Sequence, residues 1–278
     1  MPAWLQRIGY DGPLQPCLDT LCGIITASSQ AIPYENLDVV LGQPPELDIA
    51  SLQRQMVTNR RGGFCFQQAL LLRAGLRAMG FAATGLLGRV ILGLPANAER
   101  LAGHAAVQID LPEGPFLVDV GFGSVTPTAP LLMQPGLEQD TPHETMRFLA
   151  VGDELVLQVR RAGDWVSLYR LCNHLPLDAD FDVSNWFVST HPNSLFVANM
   201  IAARPGPDRV RHTLLNGRVS VRRADGAVER TQLASAAEAA AVLRETFALD
   251  VPQDLVERAW DELERRGRLA ADHPFFQG

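Results

Sequence analysis

The chain has 278 residues, 47% of them hydrophobic, and a formal net charge of -7. That length can bury a sizeable core in two or three domains or subdomains. The acidic balance argues against nucleic-acid binding, which normally needs a basic face, while leaving room for a local basic pocket that takes a phosphorylated ligand. No apolar run reaches the roughly 18 residues of a membrane-spanning helix, and Met1 to Arg7 lack the charged and apolar regions of a signal peptide. Cys17, Cys22, Cys65 and Cys172 are too few for a disulfide framework in so long a chain. Cys17 and Cys22 have neither a second pair nor nearby histidines, so no metal site is expected. A reduced cytoplasm is the simplest setting.

In chain order, residues 1–82 read as mostly helical. Pro16 to Leu21 leads into an apolar segment through Ile25, and Ala50 to Val57 is a short helical candidate. Between them, Ile32-Pro33-Tyr34-Glu35-Asn36-Leu37 breaks the pattern, because proline disfavours helix in the residue before it. A longer helix follows Cys65, with Ala69, Leu72, Leu76 and Met79 at helical spacing and Gly80 as its cap. Residues 83–190 change to short β-rich runs: Leu86 to Leu92, His104 to Leu111, Phe116 to Val120, Glu154 to Arg160 and Trp165 to Tyr169. Residues 191–278 mix a strand, Arg218 to Arg223, with helices at Ala234 to Phe247 and Pro252 to Arg266. The alanine-rich start of the first of these has high helix propensity and is read as helix. No internal repeat is evident.

The most informative stretch is Arg61-Gly62-Gly63-Phe64-Cys65-Phe66. Two glycines permit a sharp turn and close approach of another group. A thiol at a helix N-terminus meets the positive end of the macrodipole, which favours thiolate, and Arg60 and Arg61 add positive charge nearby. These features suit a nucleophile, although a free cysteine is also a common buried core residue.

A thiolate catalyst needs an imidazole and a group to hold it. In the strand from His104, side-chain alternation puts His104, Ala106, Gln108 and Asp110 on one face, and Val107, Ile109 and Leu111 on the other. Asp119 lies among apolar neighbours in the next strand, where a carboxylate is costly unless paired. An even loop such as Pro112-Glu113 sets Asp119 opposite Ala106, diagonal to His104 at roughly 7–8 Å between backbones. An odd loop would separate their faces. His143, His174, His191, His212 and His273 are alternative bases, and spacing does not choose among them. Gly121-Phe122-Gly123-Ser124 after the strand reads either as a phosphate cradle of backbone N–H groups or as a simple turn.

Together these segments resemble the arylamine N-acetyltransferase family along nearly the whole chain. The matching segments are Arg7-Ile8-Gly9-Tyr10, Ile32 to Asp38, Arg61 to Phe66, His104, Leu117 to Gly123, and Asn185 to Pro192. The resemblance implies a helical domain over 1–82 carrying the nucleophile, a β-barrel domain over 83–190 carrying histidine and aspartate, and an α/β domain over 191–278. The core would be like papain-type and transglutaminase-type thiol enzymes. It implies a Cys65, His104 and Asp119 triad and acetyl-CoA as acyl donor, with no metal. An arylamine or hydrazine would be the acceptor, through an acetyl-cysteine intermediate. By the same analogy Tyr34, Phe122 and Phe196 line the acceptor pocket, while Gly121, Gly123 and Ser124 help form the CoA cleft. The oligomeric state is left open.

Three positions depart from the family pattern. Gln67-Gln68-Ala69 replaces Glu-x-Asn, Gly103 replaces the usual threonine or serine, and Ala27 to Ala31 lacks the usual histidine. Gln67 can hydrogen-bond but cannot neutralise Arg61. Rival readings are an amide synthase using a larger or carrier-bound acyl chain, a thiol hydrolase or crosslinking enzyme, and a degenerate binding protein.

Overall fold

The computed structural model describes residues 1–270. The chain opens with helix α1, Pro2–Ile8, which has proline in its first turn and ends on Gly9 in the left-handed region. Helix α2, Leu18–Ala31, buries Leu21, Ile24, Ile25 and Ser28 on one stripe. It stops where Ile32 turns extended ahead of Pro33. The segment that breaks the helical pattern becomes strand β1, Tyr34–Glu35, and the short helix α3, Leu37–Val40. Helix α4, Ile49–Leu52, is capped by Asp48, whose carboxylate accepts from the Ser51 N–H, and runs into a π-helical stretch over Gln53–Thr58. Helix α5, Cys65–Ala78, follows. Ala69, Leu72, Leu76 and Met79 are all buried, and Gly80 takes φ 92° just beyond the helix end.

Eight antiparallel strands form the larger sheet: β2 Ala82–Val90, β3 His104–Leu111, β4 Gly114–Val118, β5 Leu131–Leu132, β6 Gln139–Asp140, β7 Thr145–Val151, β8 Glu154–Arg161 and β9 Asp164–Leu171. Their order is β5-β4-β3-β2-β9-β8-β7-β6. A bridge between Pro135 and Phe148 brings the β5 end back to β7, so the sheet curls into a nearly closed barrel. Val107 and Ile109 on β3 face the main core against α5, whereas Ala106 faces a second cluster inside the curl with Phe122, Phe148 and Tyr169. This split is the period-2 alternation of the strand made physical.

Helix α6, Asp178–Thr190, lies within a span that reads as β-rich in sequence. Among its apolar residues, Phe181 and Val188 are buried while Val183 and Trp186 are exposed, which blurs the helical period. Its clearest signal is acidic: Asp180 accepts from the Leu177 N–H at 2.7 Å, a capping interaction. The short helix α7, Leu195–Ala198, comes next. A second antiparallel sheet then joins β10 Ile201–Pro205, β11 Arg211–Leu215, β12 Arg218–Arg222 and β13 Val228–Gln232, with β1 on the free side of β10. Helices α8, Ala236–Glu245, and α9, Gln253–Arg265, cover it through Leu243, Phe247, Val256 and Trp260. The mixed helix-and-sheet class expected from sequence is the class observed. Strands β10, β11 and β13 escape the sequence reading because they are short, at five residues each, and the reading also misses β7.

The two sheets are locked together by a buried ion cluster. Arg211 donates to both carboxylate oxygens of Glu144 and Arg222 adds a third bond at 3.0 Å. Burial alone would raise the Glu144 carboxyl; the two guanidinium groups hold it below its ordinary value. Its stabilising contribution is therefore present above the unfolded carboxylate pKa and lost as pH falls. Arg211→Met should lower stability by about 3–5 kcal/mol, because it leaves a buried carboxylate short of its main partner. The shift in urea midpoint measures this.

Candidate active site

The turn before Cys65 is shaped by close backbone packing. A Cβ at Gly62 would stand 2.2 Å from the Pro33 carbonyl oxygen, a clash no side chain tolerates. Gly63 donates to that same oxygen, and its own carbonyl accepts from the Glu35 N–H and from Gln68 Nε2 at 2.7 Å. Strand β1 thus clamps the turn and delivers Cys65 as the first residue of α5. The N–H groups of a helix's first turn have no intrahelical acceptor, which makes those at the start of α5 candidate donors near the sulfur.

Arg61 does not supply charge to the thiol as expected. Its guanidinium is buried between two carboxylates, bonded to Glu35 at 2.7 Å and to Asp38 at 3.0 Å. The same pairing settles the departure at Gln67. Arg61 is already neutralised, and Gln67 instead accepts from the Phe64 N–H at 3.2 Å and donates to Gln55 Oε1 at 2.8 Å.

The β3–β4 hairpin has the even loop, with Leu111 paired to Gly114 and Val107 to Val118. Continuing that register sets Asp119 opposite Ala106, and the diagonal brings His104 Nε2 within 2.7 Å of Asp119 Oδ2. The carboxylate is 1% exposed. Besides the imidazole, it accepts from the Gly121 N–H at 2.9 Å and the Tyr169 hydroxyl at 2.7 Å. Burial by itself would lower the His104 pKa. The facing Asp119 charge and hydrogen bond outweigh it, Cys65 adds to them from the other side, and the value rises to about 10. With Nε2 committed to Asp119, Nδ1 is the nitrogen left for Cys65. The sulfur also lies 4.0 Å from the Gly103 carbonyl.

Tyr169 is the site residue that sequence reading missed. Besides its bond to Asp119, its ring packs 4.7 Å from His104 and 5.0 Å from Phe122, centroid to centroid. The one local signal was a phenol in a strand of apolar neighbours. Of the alternative histidines, His143 is tied to Thr128 and Gly206, His191 stacks on Phe187, and none of His143, His174, His191 or His212 lines the cleft at Cys65. His273 lies outside the described residues.

That cleft encloses about 340 Å³ up to its open mouth and is lined by Tyr34, Cys65, His104, Phe122, Phe196 and Ile201, with Gly103, Gly121, Gly123 and Val90 completing it. Gly121 packs directly on Cys65, for a Cβ there would sit 2.8 Å from the Cys65 Cα. The turn has few N–H groups to offer a phosphate. Gly121 donates to Asp119 and Phe122 to the Thr126 hydroxyl at 2.8 Å, which leaves Gly123 and Ser124. Ser124 is buried and is not among the cleft-lining residues. Among the described residues no cluster of His, Cys, Asp and Glu could hold a metal ion, and no helix is long and apolar enough to cross a membrane.

Two outcomes follow from the buried pair. The folded His104 pKa lies above its ordinary value of 6.5, so the stability it contributes is complete below that pH and is lost as pH rises through about 10. The urea midpoint should fall across this window, and His104→Gln should flatten the fall. Tyr169→Phe should cost about 1.5–3 kcal/mol in the same assay, the worth of a hydrogen bond to a charged group.

Comparison with known proteins meets this geometry. The N-acetyltransferase family pattern matches residues 17–256. The arylamine N-acetyltransferase of Mycolicibacterium smegmatis is 36% identical over 257 residues, covering 89% of this chain and 91% of the relative. That of Escherichia coli K12 is 36% identical over 250 residues, covering 89% and 88%. The solved structure of Mycobacterium marinum arylamine N-acetyltransferase in complex with CoA superposes with a TM-score of 0.89 at 34% identity, over 94% of this chain and 98% of that one. The chain belongs to the arylamine N-acetyltransferase family.

Proposed function

We propose that the chain transfers an acetyl group from acetyl-CoA to an arylamine or hydrazine through an acetyl-Cys65 intermediate, with His104 and Asp119 completing a catalytic triad. The observation that carries this reading is the chain Cys65–His104–Asp119, buried at the base of an aromatic cleft in a member of this family. A histidine pKa near 10 favours the imidazolium form at neutral pH, and with it a Cys65 thiolate ion pair. The thiolate attacks the thioester carbonyl. The tetrahedral oxyanion meets the free N–H groups at the start of α5. As the carbonyl re-forms, the CoA sulfur leaves and takes the proton from His104.

The second half runs through the same groups. The amine attacks the acetyl carbonyl, neutral His104 accepts its proton, and Cys65 leaves as thiolate, which restores the ion pair. Asp119, held by three donors, keeps Nε2 bound and so keeps Nδ1 turned to the reacting atoms. Tyr34, Phe122 and Phe196 present aromatic surface to a flat acceptor. Gly121 and Gly123 form the side of the cleft assigned to CoA, with Ser124 buried behind them.

Intact mass after incubation with acetyl-CoA and no acceptor tests the mechanism. One acetyl adduct is expected on the wild-type protein, discharged on adding an arylamine, and none on Cys65→Ala. Absence of an adduct across a panel of acyl-CoAs, or acetylation undiminished in Cys65→Ala, would overturn it.

A further inference from the structure

Helix α7 carries Phe196 into the cleft, yet it is only four residues long and none of them is buried. So short a helix cannot satisfy its own carbonyls. Side chains do so instead. Asn199 Nδ2 donates to the Leu195 oxygen, Asn36 Nδ2 to Phe196, Arg266 Nη1 to Val197 and Arg268 Nε to Ala198. Asn36 is 2% exposed and differs from the others in reaching from the nucleophile side of the cleft. Its Nδ2 donates to the Phe196 and Asn199 carbonyls, both at 2.8 Å, while its Oδ1 accepts from the Ile201 N–H at 2.7 Å. Two residues earlier, Tyr34 pairs with Ala203 across β1 and β10. One amide therefore ties the strand bearing Tyr34 to the segment bearing Phe196 and Ile201, all three lining the cleft. The rings it spaces stand 6.4 Å apart for Tyr34–Phe196 and 6.0 Å for Phe64–Phe196.

We propose that Asn36 is a positioning residue that sets the width of the acceptor cleft by fixing Phe196 against Tyr34, and so governs selectivity for flat aromatic amines. This deepens the acceptor-pocket reading and rests on it. Asn36 touches none of Cys65, His104 or Asp119 through its side-chain bonds, so the acylation step should not depend on it.

Asn36→Ser removes the reach to both carbonyls while leaving a good N-cap for α3. Asn36→Asp keeps the acceptor for Ile201 but removes both donors. Either variant should lower kcat/KM for aniline by about tenfold, mainly through KM, the scale of a small misplacement in a binding wall. Transfer to hydrazine, which needs no aromatic wall, and acetylation of Cys65 by acetyl-CoA should stay within about twofold of wild type. Phe196→Leu should show the same split, and combining it with Asn36→Ser should add little further loss. Equal losses for aniline and hydrazine, slower Cys65 acetylation, or unchanged aniline kinetics in the Asn36 variants beside an affected Phe196→Leu would overturn the assignment. Unchanged aniline kinetics in Phe196→Leu would instead overturn the pocket reading beneath it.

Discussion

A single buried carboxylate organises this molecule. Asp119 is almost fully removed from water, and an ionised carboxylate there is tolerable only with several donors. Its three come from separate parts of the chain: the imidazole at the start of β3, the phenol on β9, and the N–H of the turn after β4. Satisfying one charge therefore requires β9 to pair with β2, one strand away from β3. The same bonds orient His104 toward Cys65. Structural and chemical demands on Asp119 are one demand.

Glycines provide the second half of the arrangement by letting backbones approach where side chains cannot. Gly62 admits the Pro33 carbonyl and Gly121 admits the Cys65 backbone itself. Cys65 is therefore held between two turns, one from the helical part and one from the barrel. Position rather than extra positive charge is what these turns supply, since the neighbouring Arg61 is consumed by Glu35 and Asp38. That ion pair fastens the turn to the β1–α3 segment and leaves His104 as the basic side chain next to the sulfur.

What could be read in sequence was what depends on local rules. The pairing of His104 with Asp119 was permitted by a two-residue loop and a period of two, and the fold has that loop. The placement of Cys65 followed from a glycine pair ahead of a helical stripe. Tyr169 was illegible because its contact with Asp119 depends on β2 pairing with both β3 and β9, strands far apart in sequence. The fate of Arg61 was illegible because its partners lie 26 and 23 residues earlier. Choosing His104 over the other histidines came from family resemblance. Its physical reason is visible only in three dimensions, where the alternatives among the described residues are occupied elsewhere or absent from the cleft.

The departures from the family pattern take on a different weight in the fold. Gln67 looked like a lost counter-charge, but its amide bridges Phe64 and Gln55 and so ties the nucleophile turn to the π-helical stretch before it. A carboxylate at this position could accept from Phe64 but could not donate to Gln55. Gln68, the next residue, donates to both Pro33 and Gly63. Two neutral amides thus brace the turn without placing a further negative charge beside Cys65. The substitution is compatible with the triad because it exchanges one way of holding the turn for another.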